Sequence, residues 1–189
     1  MEPESESELM NPYEFMATQE VAMDIRLEEM KTPNPNDAIL ENLIQKFTGK
    51  CMDGGFVLPG ENTIQILTRS PFVLNSLFGD SSHRTYVRFK AKVLDIPPGT
   101  ETTSVITHIT PSRVITEYSL PEYGDISPIR IVYPTNIHTE EEREILKTLK
   151  QGMSIRGVIV HRSYSLGDPQ IVAIGRFQQI IKDATPLSS

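Results

Sequence analysis

Apolar and polar residues alternate cleanly around residues 84–95. Val87, Phe89, Ala91 and Val93 fall on one side, and Arg84, Arg88, Lys90 and Lys92 on the other. A period of two over this length predicts a half-buried strand with a basic outer face. That face reads as a solvated surface guarding a sheet edge, or as cations available to phosphates. Pro97-Pro98-Gly99 ends the strand, because proline gives no ladder donor and glycine permits a turn. A second β run, Ser104–Thr110, follows. The stretch joins the last strand of one small unit to the first strand of another.

Upstream, Val21, Met23, Ile25 and Leu27 alternate with Ala22, Asp24 and Arg26, predicting a strand over 21–29. Asn34-Pro35 then reads as an N-cap with proline at the first helical position. Ile39, Leu43 and Phe47, with Leu40 and Ile44, form one apolar stripe, and Gly49 stops the helix. Strands are predicted at Lys50–Leu58 and Thr63–Leu67, and a loop at 70–83. The first unit therefore reads strand, helix, three strands.

The second unit reads as strands over Val105–Thr110, Arg113–Leu120 and Ile126–Tyr133. A helix capped by Thr139 and Glu142 follows, with Ile145, Leu146 and Leu149 as its apolar stripe. Strands Ser154–Tyr164 and Gln170–Ile180 close the series, split by Gly167-Asp168-Pro169. Five strands with one helix before the last two suit a small closed barrel of the oligonucleotide-binding (OB) type. The expected class is α+β.

Charge changes this picture at one end. The chain carries a net −7, but residues 1–30 hold nine acids against Arg26 alone, and the remainder is close to neutral. Residues 1–20 read as an acidic flexible tail, or as a peptide for a basic partner surface. Neither part of the chain carries the charge for tight nucleic-acid binding by electrostatics alone. The acidic start lacks the apolar run of a secretory signal, and no stretch approaches the length of a membrane span. One cysteine, Cys51, excludes an internal disulfide framework and fits a reducing compartment.

Catalytic signatures are missing. Gly54-Gly55 is followed by no Gly-Lys-Ser/Thr and belongs to no G-x-G-x-x-G. His83, His108, His138 and His161 have no metal-ligand spacing, and Cys51 has no histidine beside it to activate it. Cys51 reads as a small buried hydrophobe. No enzyme activity, metal or cofactor is expected. Arg156, Arg162 and Arg176 fall on the last two strands near Tyr164 and Phe177, where an OB-type barrel could track phosphates and stack bases. The absence of tryptophan argues against a rich stacking platform.

Over about residues 21–182 these features resemble the seventh, stalk subunit of eukaryotic RNA polymerase II and its archaeal counterpart. The resemblance rests on Gly49-Lys50-Cys51, Gly54-Gly55-Phe56-Val57, Val87-Arg88-Phe89-Lys90-Ala91-Lys92-Val93, Pro98-Gly99, Ser154-Ile155-Arg156 and Ile171-Val172-Ala173-Ile174-Gly175, in that order. It departs where Thr103-Ser104 and Thr110-Pro111 replace glycine-bearing turns. With the acidic extension, it is similar to a copy encoded by a large DNA virus.

The resemblance implies an RNP-like tip domain over 21–96 that docks on the polymerase core beside the clamp, and an OB-type barrel over 97–189. Docking is expected at Gly49, Lys50, Cys51, Gly54, Gly55 and Phe56. Nascent RNA is expected to meet Arg113, Arg156, Arg162, Tyr164 and Arg176, weakly. The implied partners are the large polymerase subunits, with a subunit-four-like stalk partner left open. The implied location is the nucleus, or virion and host cytoplasm for a viral copy. The competing reading is a free-standing OB-fold single-stranded RNA-binding or translation-type module.

Overall fold

The computed structural model describes residues 13–30, 34–75 and 82–181. Strand β6 (Ser82–Leu94) is the spine of an N-terminal sheet, and its Val87, Phe89, Ala91 and Val93 are fully buried as the alternation predicts. Strand β1 (Glu14–Arg26) lies antiparallel along all of it, from Glu14 opposite Leu94 to Arg26 opposite Ser82. On the other side, β3 (Gly55–Val57), β4 (Ile64–Arg69) and β5 (Val73–Asn75) take successive segments of β6. Strand β2 (Cys51–Met52) pairs outside β3. The basic strand is therefore central, and the idea that its cations guard a sheet edge is corrected.

Strand β1 also corrects the expected flexible tail. The chain is already paired at Glu14, so 14–20 belong to the sheet. Charge supplies the reason. Lys92 Nζ lies 2.6 Å from Glu14 Oε2, Arg84 Nη2 lies 2.8 Å from Asp24 Oδ2, and Glu20 stands opposite Arg88. The acidic start and the basic strand face are two halves of one cross-strand ladder. At its other end the strand stops at Arg26, and Leu27–Met30 make a single helical turn, α1. Residues 1–12 of the expected tail and 76–81 of the expected loop lie outside the described residues.

Helix α2 (Pro35–Phe47) starts where the cap signal places it, with Asn34 Oδ1 accepting from the Asn36 N–H at 3.1 Å. Ile39, Leu43 and Phe47 pack with Ile25, Val87 and Phe89 to form the sheet's own core. Ile44, expected beside the stripe, stays 44% exposed. The strand expected over Lys50–Leu58 is instead the β2–β3 hairpin, turned at Asp53-Gly54.

Strands β7 (Glu101–Thr110), β8 (Arg113–Leu120), β9 (Ile126–Pro134), β10 (Ser154–Ser163) and β11 (Ile171–Ile181) form a closed five-stranded barrel in the order β10-β11-β9-β8-β7. Closure comes from β10 pairing with β7. The β9–β11 contact is parallel, which requires the long crossover that carries helix α3 (Glu140–Thr148). This is an OB-like arrangement. Both halves of the α3 capping box form, and Leu146 and Leu149 bury while Ile145 does not. Tyr133 fills the barrel. Gly157 and Gly175 leave it room, since a Cβ at either would stand 2.6 Å from its ring. Around its phenol lie Thr102, Ser104 and Thr116, and burial pushes that phenol's pKa up.

Candidate functional site

The residues singled out for docking mostly face inward. Cys51 is fully buried, and its backbone is clamped to the β10–β11 loop. Its N–H donates to the Asp168 carbonyl at 2.7 Å, and its own carbonyl accepts from the Gly167 N–H at 2.8 Å. Burial first, then the charges of Asp168 and Asp95, push the thiol up to about 12. Cys51 and Phe56 pack with Leu58, Leu94 and Ile96 into the cluster that also holds the barrel core. Neither side chain is a docking surface, because both are used to weld the sheet to the barrel.

The glycines serve the same end. Gly55 has φ +144, and a Cβ there would stand 2.3 Å from the Leu94 carbonyl. A Cβ at Gly54 would meet Ala17 at 3.1 Å. The close approach that these glycines permit is made by this chain's own β6 and β1. Gly49 ends α2 in open space, and Lys50 is exposed, so these two remain available.

The expected RNA-facing residues divide among three places. Arg162 and Tyr164 belong to the weld. Arg162 Nη2 lies 2.6 Å from Asp95 Oδ2, and its guanidinium sits 5.6 Å from the Tyr164 ring centroid. Burial outweighs Arg162 at Asp95, and the carboxyl's pKa is raised. Arg156 and Arg176 do come together, lining an open depression of about 560 Å³ with Glu101 and Glu142. Arg176 Nη2 lies 3.6 Å from Glu142, whose carboxyl the Thr139 N–H holds below its usual range. Arg113 is exposed at the β7–β8 turn.

A second joint lies beside the first. Lys92 Nζ donates to the Tyr123 hydroxyl at 2.7 Å, and that hydroxyl donates to Glu14 Oε2 at 2.9 Å. Tyr123 belongs to the barrel, in the turn Pro121–Tyr123, so the triad ties β1 and β6 to it.

One surface has no counterpart in the expectations from sequence. Val73, Leu74 and Tyr86 are 65%, 62% and 53% exposed, and with Arg84 they line a hollow of about 210 Å³. Val73 lies opposite Arg84 and Leu74 opposite His83, at the end of β6 away from Leu94. The available signal was Tyr86, an aromatic among the cations of the outer face. At roughly 3.3 Å per residue, the stretch of β6 from His83–Tyr86 to Leu94 puts this apolar end about 30 Å from the weld.

Among the described residues, no group of three His, Cys, Asp or Glu side chains could hold a metal ion, and no helix is long and apolar enough to cross a membrane. No protein-family model matches this chain, and no curated protein matches it significantly.

Proposed function

We propose that this chain is a non-catalytic stalk subunit of a multisubunit DNA-directed RNA polymerase. The N-terminal sheet acts as an RNP-like tip that docks on the polymerase core beside the clamp, and the barrel meets nascent RNA weakly during initiation and elongation. Catalysis resides in the other polymerase chains. The supporting observation is the division of surfaces. An exposed apolar end, Val73, Leu74 and Tyr86, lies at one end of β6, and an OB-like barrel is fastened at the other. Solvent-exposed apolar clusters of this kind mark interaction sites.

Docking is thereby reassigned from the buried Cys51 and Phe56 to Val73, Leu74 and Tyr86, with Lys50 retained. RNA contact falls to Arg156 and Arg176. A free-standing RNA binder is disfavoured because the β10–β11 loop, which OB folds use for ligands, is held against β2 by Cys51. Affinity purification from the native source with mass spectrometry of partners tests the reading. Large polymerase subunits should co-purify stoichiometrically, and Leu74→Glu should release them while the protein stays folded. Recovery without polymerase subunits would refute the proposal.

A further inference from the structure

The parallel contact between β9 and β11 is short. Ile171–Ile174 face Ile129–Val132, after which β9 ends at Pro134 while β11 runs on to Ile181. Beyond the last ladder pair, the Phe177 N–H needs an acceptor. It donates to His138 Nε2 at 2.9 Å. The other ring nitrogen, Nδ1, lies 2.7 Å from the Pro134 carbonyl. His138 is 2% exposed, so water does not stand in for either partner.

These two contacts fix the proton. A carbonyl can only accept, so Nδ1 carries the hydrogen. A backbone N–H can only donate, so Nε2 offers a lone pair. The arrangement works only for the neutral Nδ1–H imidazole. An imidazolium presents N–H groups on both sides, which sets one donor against the Phe177 donor in a buried site.

We propose that His138 is an acid-sensitive latch that holds the β9–β11 seam closed while neutral and releases it when protonated. The groups facing it come from both packed elements. On α3, Arg143 Nε donates to the His138 carbonyl at 3.0 Å and lies beside Glu140, while Glu142 is a carboxylate that interacts electrostatically with His138. On β11, Arg176 is adjacent to Phe177 and pairs with Glu142. Release frees α3 from the seam and separates Glu142 from Arg176, which alters the depression that holds Arg156. The latch stands on hydrogen-bond geometry and is independent of any polymerase assignment.

Amide hydrogen exchange on the full chain, corrected for intrinsic rates, tests it between pH 7.5 and 5.5. Phe177 protection should fall about tenfold for each pH unit below the ordinary imidazole value of about 6.5, ahead of the amides of β7 and β8. In His138→Gln, a side-chain amide can both donate and accept without titrating, so protection should become independent of pH. Should that variant misfold, the imidazole ¹⁵N shifts of the wild type decide, and they should report the Nδ1–H tautomer at pH 7.5. Constant Phe177 protection, an Nε2–H tautomer at pH 7.5, or simultaneous loss of all amides would each overturn the latch.

Discussion

Arg162 and Asp95 meet across the join between sheet and barrel, Nη2 to Oδ2, at 2.6 Å. Asp95 follows the last residue of β6, and Arg162 lies near the end of β10. Their side chains are 12% and 28% exposed, respectively, so this is a largely buried pair. Arg162→Met strands a buried carboxylate and should cost about 2–3 kcal/mol, somewhat under the full-burial range because Arg162 keeps some water. Adding Asp95→Asn should recover part of that loss. Urea denaturation of both single variants and the double variant measures the coupling, and strict additivity would show that the pair does not hold the join.

Cys51 should be inert in the native protein. Its thiol is fully buried and pushed up to about 12. A thiol-disulfide reagent at pH 8 should leave it unmodified and should label it completely after denaturation. The raised value fixes the direction of the pH effect. The folded state keeps this proton to higher pH than the unfolded chain does. The associated stability is therefore full below about pH 8.5, the ordinary thiol value, and declines as pH rises towards 12. Rapid labelling of folded protein would contradict the burial.

Gly55 and Gly49 both have positive φ, yet only Gly55 is crowded. Gly55→Ala combines backbone strain with a Cβ driven into the Leu94 carbonyl, and should cost about 3 kcal/mol. Gly49→Ala meets open space and should cost about 1 kcal/mol. Lys50→Glu, on the exposed side of the same loop, should stay within about 0.5 kcal/mol. Thermal denaturation ranks the three. Lys50→Glu is thus the usable probe of docking at this loop, because a defect in Gly55→Ala would report misfolding.

Gly175 and Tyr133 should behave as a size-matched pair. A Cβ at Gly175 would meet only side chains at its closest contacts, Tyr133 and Ile131. Gly175→Ala should therefore destabilise by about 2 kcal/mol, and Tyr133→Leu in the same chain should relieve part of it. Tyr133→Phe alone should be close to neutral, because the buried phenol finds no hydrogen bond of good geometry. Chemical denaturation of the four proteins settles the comparison.

Local signals carried most of the barrel. The Thr139–Glu142 capping box, the proline and glycine breaks and the alternating strands are short-range features, and a sequence displays them directly. The N-terminal sheet was less legible because its decisive facts are long-range. Nothing local to Glu14 announces Lys92 or Tyr123, so the first half of β1 reads as an acidic tail. Site residues suffered similarly. Arg162 and Tyr164 sit on a strand face that looks solvated until Asp95 and the β10–β11 loop are placed against it. Gly54 and Gly55 do stand at close approaches, but a glycine in a sequence cannot say which chain approaches. Val73 and Leu74 gave no period to read, so the exposed apolar end went unseen.

The full-length pairing of β1 with β6 bears on how the chain acquires its shape during synthesis. Glu14 cannot find its place until Leu94 has left the ribosome, since the two are direct neighbours in the ladder. Helix α2 and the β2–β3 hairpin emerge meanwhile with their apolar faces uncovered. Contacts so distant along the chain close slowly. The nascent N-terminal half therefore lacks the central strand of its sheet until late, and β6 is the segment whose arrival covers those faces.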